Sequence, residues 1–332
     1  MGVRGTDMNI IYASNNDYAK YLGISMLSLF DNNQDIDEII VYILSQKIDS
    51  RNREKLFEIA NHYHRTLNFI DFSGFEKFIP FDFNTSGFNP VILSRLFLGR
   101  YLPTEVNRAL YLDCDTIVNG SIKQLDKVAL DSYIMAAVPE LNMPVDRKAV
   151  IGLLPNETYY NSGVLLINMS LWRSMNLESA FISYYQAMNG QLLYIDQDII
   201  NHCCKGKILT LSHTFNLSTN LVYFPRYFIK RFQPAYDTRS ADDYRNILYN
   251  PAIIHYMGDE RPWIAGNFNK YRKQYEYYFR ESPWKDDPFI QGQRMYMLCY
   301  HILNVITLIF PWFRILFSKI IGINKFKWFR KK

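Results

Sequence analysis

Over residues 9–71 one pattern recurs: a short run of apolar and β-branched residues, a polar turn, then a stretch with helical spacing. Asn9-Ile-Ile-Tyr12 reads as a strand, Ala13-Ser-Asn-Asn-Asp17 as the turn after it, and residues 18–30 as a helix. Residues 38–44 form a second predicted strand, Ser50 caps an amphipathic helix running to about His62, and residues 66–71 form a third strand. Strands alternating with helices of this size bury their apolar faces in a mainly parallel sheet with helices on both sides. Further along, the pattern predicts a helix over 90–98, strands ending at Asp113 and covering 132–138 and 163–168, and a helix over 177–188. A last α/β segment surrounds residues 196–202. The expected class is therefore α/β, with a Rossmann-like, mainly parallel mixed sheet. No Pro/Gly/Ser linker divides residues 8–285, so the chain is read as one domain followed by a tail over 286–332.

Ligands of open α/β sheets sit beyond the carboxyl ends of the strands. The apolar run Arg108-Ala-Leu-Tyr-Leu112 ends there in Asp113-Cys114-Asp115. Spacing of i, i+2 aims the two carboxylates to one side, where they can share one hard divalent cation through oxygen ligands, and turns Cys114 to the other. An acidic pair at a strand end also serves simply to solvate the junction. The first strand is not followed by G-x-G-x-x-G, and the chain has no Walker A sequence, so dinucleotide oxidoreductases and P-loop enzymes lose their main warrant. Phosphates bound here would need a metal instead.

Cys114, Cys203, Cys204 and Cys299 form neither a disulfide framework nor two CxxC halves of a zinc site, which favours a reducing, cytoplasmic setting. No secretory leader precedes Met8, and the residues before it match a myristoylation pattern only superficially. His62 and His64 are expected to point apart, and Cys203-Cys204 to serve packing. From Gln291 onward the chain holds eight Lys or Arg and no Asp or Glu, so the overall +5 hides a net acidic remainder. Aromatic and basic residues interleave in that tail up to Lys325-Phe-Lys-Trp-Phe-Arg-Lys-Lys332. Such a segment suits peripheral attachment to an anionic membrane surface, each cation near the headgroups contributing about 1 kcal/mol. Pro311 and the polar His301, Asn304 and Thr307 disfavour a span, and a docking helix that completes the core is the bland alternative. No nucleic-acid motif accompanies the basic residues.

Six segments in order resemble retaining glycosyltransferases of family 8, the group containing glycogenin and bacterial lipopolysaccharide galactosyl- and glucosyltransferases. They are Ile11-Tyr-Ala-Ser-Asn-Asn-Asp-Tyr-Ala19, Ser94-Arg-Leu96, Leu110-Tyr-Leu-Asp-Cys-Asp-Thr116, Tyr160-Asn-Ser-Gly-Val-Leu-Leu-Ile-Asn168, Asp196-Gln-Asp-Ile-Ile-Asn201 and His255-Tyr-Met-Gly-Asp-Glu-Arg-Pro-Trp263. The resemblance implies a GT-A fold and a UDP-sugar donor, UDP-glucose or UDP-galactose. It implies Mn²⁺, with Mg²⁺ as the alternative, held by Asp113, Asp115 and His255, and a saccharide, glycolipid or glycoprotein acceptor. Ala13, Asn15 and Asp17 would hold uracil and ribose. Arg95, Cys114, Asn161, Gly258 and Arg261, with the metal-binding pair, would line the diphosphate and sugar. Arg261 stands where Lys is common, Asn15 and Glu140 where Asp is common. Asp196, Gln197 and Glu140 would serve catalysis. A neutral amide is a poor nucleophile, so Gln197 favours front-face attack over the two-carboxylate route of glycosidases. The enzyme would work at the inner face of the cytoplasmic membrane. Two rivals stand beside this: a haloacid-dehalogenase-like phosphohydrolase, which also sets Asp-x-Asp after a buried strand, and a UDP-sugar-binding protein without turnover.

Overall fold

The computed structural model describes residues 7–141, 143–232, 240–259 and 261–317. The lipidation-like leader at 1–6 and the basic terminus at 325–332 lie outside the described residues. The described strands are β1 (Asp7–Asn15), β2 (Glu38–Gln46), β3 (Thr66–Asp71), β4 (Arg108–Leu112), β5 (Thr116–Val118), β6 (Met135–Pro139), β7 (Tyr160–Asn168), β8 (Ile208–Thr210), β9 (Leu217–Ser218) and β10 (Ile253–His255). They form a seven-stranded sheet ordered β3-β2-β1-β4-β7-β6-β8 and a three-stranded sheet ordered β5-β10-β9.

β1 lies between β2 and β4 and is apolar on both faces, as an interior parallel strand requires. Strand alternation sends Ile10 and Tyr12 into one core layer and Ile11 and Ala13 into the other. Within the large sheet the pairs β1/β2, β2/β3, β1/β4 and β6/β8 are parallel, whereas β7 runs antiparallel to both β4 and β6. The start of β7 therefore lies at the edge where β4 ends. Its register expresses this directly, Leu112 pairing with Val164.

Several local expectations shift. Asp49, not Ser50, caps the second helix, its Oδ1 accepting from Asn52 N at 2.8 Å, and Ser50 is the first helical residue of Ser50–His62. The helix expected over 90–98 is a 3₁₀ helix, Pro90–Phe97, entered from an Asn89 cap and followed by the short α-helix Leu98–Tyr101. β6 starts at Met135 because Tyr133 is held in a turn by the Leu130 carbonyl. β7 starts earlier than its apolar run, at Tyr160, since the polar Asn161 and Ser162 are strand residues too. His64 falls outside the helix that ends at His62, at φ +54°. All four cysteines are free.

Helix Ala19–Asp31 is buried from Ala19 to Phe30 apart from Lys20, because the large sheet packs on one side and a later segment covers the other. Trp284 supplies that cover. It is 3% exposed, donates Nε1–H to Asn52 Oδ1 at 3.1 Å, and lies against the Cα of Gly23. A methyl at Gly23 would stand 2.3 Å from Trp284 Cζ3.

The tail helix Arg294–Ile309 has two characters. Met297, Tyr300 and Leu303 pack inward, and Tyr300 donates to Asn220 Oδ1 at 2.9 Å. Met295, Leu298, Ile302, Val305 and Leu308 remain exposed, as do Phe310 and Phe313 beyond. Residues 311–317 are again helical, with Trp312 edge-on to Phe228 at 5.0 Å. Among the described residues no helix is long and apolar enough to cross a membrane.

Replacing Gly23 by Ala gains helix propensity of about 1 kcal/mol, but overpacking costs about 1–3 kcal/mol, so the variant is expected to unfold at lower denaturant. Trp284→Leu should then cost less in Gly23→Ala than in the parent chain. A raised midpoint in Gly23→Ala would show that Trp284 does not sit against the helix.

Candidate active site

Asp113 leaves β4 with its N–H donating to Gly163 O at 2.8 Å, and Tyr256 N donates to Asp115 O at 2.9 Å. Thr116 Oγ1 closes the turn on Asp113 O at 2.8 Å. The two carboxylates thus converge through a turn strapped between both sheets, after β4 has ended, and not through strand alternation as the spacing suggested. Cys114 does face the other way: its thiol reaches Ala13 O at 3.2 Å and is buried. Only the Cys114 backbone belongs to the site's rim.

His255 ends β10, in register with Thr116 on one side and Ser218 on the other. Its Nε2 lies 3.0 Å from Asp115 Oδ1 and 3.9 Å from Asp113 Oδ2. Its Nδ1 lies 2.9 Å from Asn216 Oδ1, an oxygen that can only accept, so Nδ1 carries a hydrogen, and Nε2, facing Asp115, is the nitrogen that would meet a cation on giving up its own proton. Asn216 is itself fixed by donating to Asn161 Oδ1 at 2.8 Å. Each of Asp113, Asp115 and His255 offers one ligand atom, all within 4.8 Å of one another, and this is the only such group among the described residues. The mixed oxygen and imidazole donors, with the ring aimed by a second residue, fit a divalent cation. Gly163 forms the floor. A Cβ there would meet His255 Cε1 at 2.2 Å and Asp113 Oδ2 at 2.8 Å.

Burial raises the Asp115 carboxyl, but His255, then Arg261, lower it by more, so it lies below its ordinary value. Burial lowers the imidazole, and Asp115 followed by Asp113 raises it by more, so His255 lies above its ordinary value. The pair supports the ionised state of both partners.

Arg95, expected near the nucleotide, is a buried guanidinium and no surface ion pair. It bonds Asp113 Oδ1 at 2.7 Å through Nη2 and Ser162 O at 2.6 Å through Nη1, and its Nε lies 3.1 Å from Asp196 Oδ2. Asp196 also accepts from Ser162 Oγ, and burial pushes its carboxyl up to about 6 against the pull of Arg95. Arg95 therefore orders two acids of the site at once.

A second set of side chains surrounds Gln197. Its Oε1 accepts from Ser162 N at 2.9 Å, and its Nε2 lies 3.3 Å from both Glu140 Oε2 and Tyr159 OH. Glu140 also takes the Asn161 amide at 2.9 Å, so Glu140, Asn161 and Gln197 form one connected group. Ile195, the residue before Asp196, is fully buried at φ +33°. A β-branched residue in that region costs about 1–3 kcal/mol and is held there by its surroundings. The strain falls at the entry to helix Ile195–Cys203, which presents Asp196 and Gln197.

The remaining sequence candidates lie around this centre. Asn15 Oδ1 caps the 3₁₀ turn Asn16–Tyr18 by accepting from Tyr18 N, and Asp17 is exposed beside it. Gly258 has φ +62° with open space where a side chain would be. Arg261 lies 5.9 Å over Tyr18 and 6.0 Å over Trp263, and its buried Nε has no hydrogen-bond partner among the described residues. Trp263, 2% exposed, stacks on Tyr21 at 4.0 Å, which is core packing. Sequence reasoning missed Asn216, Ser162, Tyr159 and Tyr111, whose hydroxyl donates to Asp113 Oδ1 at 3.1 Å. Ser162 and Tyr111 lay inside quoted motifs, whereas Asn216 and Tyr159 lay in none.

A parallel sheet interrupted by one reversed strand, with a strand-end Asp-x-Asp and a histidine from a small second sheet, defines a GT-A nucleotide-sugar fold. The sequence profile described as Glycosyl transferase family 8 matches residues 9–266, so the chain belongs to that family and is a glycosyltransferase. A putative glycosyltransferase of Haemophilus influenzae is 32% identical over 64% of this chain and 63% of its own length, so the aligned part is under two thirds of that relative. The lipopolysaccharide 1,2-glucosyltransferase of Escherichia coli K12 is 27% identical over 84% of this chain and 80% of its own. Among solved structures, galactosyltransferase LgtC, in complex with donor and acceptor sugar analogues, superimposes with a TM-score of 0.72 at 27% identity, covering 83% of this chain and 96% of that one. The phosphohydrolase alternative has no support beside these.

Because a Cβ at residue 163 would displace the imidazole, Gly163→Ala is expected to weaken Mn²⁺ binding by about 10–100-fold, the range for disturbed ligand orientation, while the thermal transition stays cooperative. Asn216→Leu should weaken it in the same sense. Unchanged Mn²⁺ affinity in both, measured by calorimetry, would show that His255 is not a ligand.

Proposed function

We propose that this glycosyltransferase moves a hexose from UDP-glucose or UDP-galactose to a saccharide, glycolipid or glycoprotein hydroxyl, with retention at the anomeric carbon. The observation that carries this is the convergence of Asp113, Asp115 and His255 beside the buried Arg95. Mn²⁺, or Mg²⁺ in its place, held by those three residues would supply Lewis-acid stabilisation of the diphosphate leaving group. Arg261, a guanidinium near enough to lower the Asp115 carboxyl, suits a diphosphate oxygen, and Ala13, Asn15 and Asp17 suit uracil and ribose. Arg95 holds Asp113 and Asp196 in fixed orientation, so no reorganisation is needed as charge develops. Gln197 spends its oxygen on Ser162 N, which leaves only its amide hydrogens toward Glu140 and Tyr159. That arrangement favours front-face attack: the acceptor oxygen bonds to the anomeric carbon as the bond to UDP breaks, and its proton goes to the departing phosphate oxygen. One relative is a lipopolysaccharide 1,2-glucosyltransferase and LgtC was solved with donor and acceptor sugar analogues, in keeping with such a substrate pair.

The tail supports a lipid-proximal acceptor. Residues 286–332 are read as an attachment segment whose inner face completes the core and whose outer face, Leu298, Ile302 and Val305, is exposed. An apolar face with no acidic residue suits the headgroup boundary of an anionic membrane at the cytoplasmic side.

With Mn²⁺, UDP release from a panel of UDP-sugars is expected for one hexose donor, suppressed by EDTA and lowered at least about 100-fold in Asp113→Asn, the scale of losing electrostatic stabilisation. Proton NMR of the product should give the α anomer from an α-linked donor. Turnover indifferent to both EDTA and Asp113→Asn overturns the proposal. For attachment, flotation with vesicles containing phosphatidylglycerol should be strong for the full chain and weak for Leu298→Glu with Ile302→Glu. Equal flotation would remove the helix from membrane binding.

A further inference from the structure

A cavity of about 260 Å³ opens beside the active site and is used by nothing described so far. Its lining includes Asn84 and Gln191, Met143, Tyr194, Arg147 and Asp198. Residues 194–198 are a wall common to both sites: the segment that begins at Tyr194 carries Asp196 and Gln197 on its way to Asp198. Asp198 is tied inward, Oδ1 accepting from Tyr159 OH at 2.6 Å and Oδ2 from Tyr194 N at 2.9 Å. Tyr159 in turn meets Gln197 Nε2. The loop on the far side is braced by an Asn84–Gln191 bridge, and the backbone of Asp82 and Phe83 packs on Gly190 so closely that a Cβ there would stand 2.3 Å from Asp82 O. The cavity wall is therefore built on fixed elements.

Two features of the lining select a ligand. Side-chain amides set beside Met143 and an aromatic ring match the hydroxyl edge and apolar C–H face of a sugar, and the volume is that of about one ring, near the lower end of small-ligand pockets. Arg147, on the exposed side of the helix Val145–Val150, adds a guanidinium that forms no close ion pair among the described residues; it acts on Asp198 only through space, while the Asp198 oxygens accept from Tyr159 and Tyr194. A planar fork with free donors is matched by a phosphate or carboxylate.

We propose that this cavity is an acceptor subsite that takes a saccharide unit bearing an anionic group, phosphate or carboxylate, paired with Arg147. The proposal rests on the transferase function above and names the class of its acceptor. An acidic residue on the glycan would be recognised next to the sugar that receives the new bond, which fixes the register of the acceptor before transfer.

The test titrates the full chain, without divalent cation or UDP-sugar, with glucose, glucose 6-phosphate and glucuronic acid, by ligand-observed NMR. At least one acidic sugar is expected to bind about tenfold more tightly than glucose, as charge-assisted hydrogen bonds provide. Arg147→Gln should abolish that advantage and Arg147→Lys keep part of it. A preference for glucose 6-phosphate alone assigns a phosphate, and for both acidic sugars any anion. Equal affinity for the three sugars, or a preference that survives Arg147→Gln, overturns the subsite. The two proposals fail separately. A chain that releases UDP from a UDP-sugar but shows no Arg147-dependent preference loses the subsite only, whereas one that binds acidic sugars through Arg147 and never releases UDP keeps the site and loses transfer.

Discussion

Three carboxylates, Asp113, Asp115 and Asp196, meet in one largely buried basin, and the architecture around them is what makes that arrangement tolerable. Burying an unpaired charge costs several kcal/mol, and like charges side by side add to it. Two basic groups carry the compensation from inside the fold. Arg95 bridges Asp113 and Asp196, and His255 pairs with Asp115, each 5% or less exposed at its side chain. Removing either would leave acids facing each other, so the same contacts that prepare the site for a cation also hold it together without one. Arg261 acts differently. It lowers Asp115 through space without forming a close ion pair with it among the described residues.

The reversed strand β7 explains how so compact a site arises. In a wholly parallel sheet the edge beyond the strand ends would receive residues only from the loops that follow strands. Here β7 begins at that edge, so Asn161, Ser162 and Gly163 enter the site as residues of the strand itself, where its register to β6 shifts. Each has a separate duty. Asn161 ties Glu140 to Asn216 and so to His255, Ser162 connects Arg95 with Asp196 and Gln197, and Gly163 leaves room for the imidazole. The small sheet then brings His255 in from a part of the chain remote from Asp113, with Thr116 and Ser218 fixing its register.

Much of this was legible in the residues, for identifiable reasons. Strands β1 to β3 are short apolar runs bounded by polar turns, so their periodicity alone located both ends of β3 and the start of β2, and the other ends fell two or three residues short. The convergence of Asp113, Asp115 and His255 followed from motif resemblance, while its cause, a turn strapped between sheets, was hidden because hydrogen bonds to Gly163 O and from Tyr256 N come from distant sequence. Asn216 was invisible for the same reason: a single amide in a polar stretch carries no pattern, and its importance exists only once β9 and β10 are paired. The start of β7 was missed because its first residues are polar, the very property that suits them to the site. Composition left the tail's packing open, since inward Met297 and Tyr300 and outward Leu298 and Ile302 look alike in a hydrophobic run.

That double-sided helix bears on how attachment and catalysis are coupled. If the tail were merely tethered, binding a membrane would fix neither the orientation nor the distance of the active site. Instead Met297 and Tyr300 belong to the same core cluster as Ile10, Tyr12, Cys114 of the Asp113–Asp115 turn and Trp263 beside Arg261. The Phe268 N–H donates to His301 Nε2 at 2.9 Å, and Asn267 on the same loop bonds the Arg261 carbonyl at 2.7 Å. A helix seated this firmly makes its exposed face a fixed part of the domain surface. A lipid surface engaging Leu298, Ile302 and Val305 would therefore set the angle at which the whole enzyme, and the opening beside Gln197, meets an acceptor anchored in that surface.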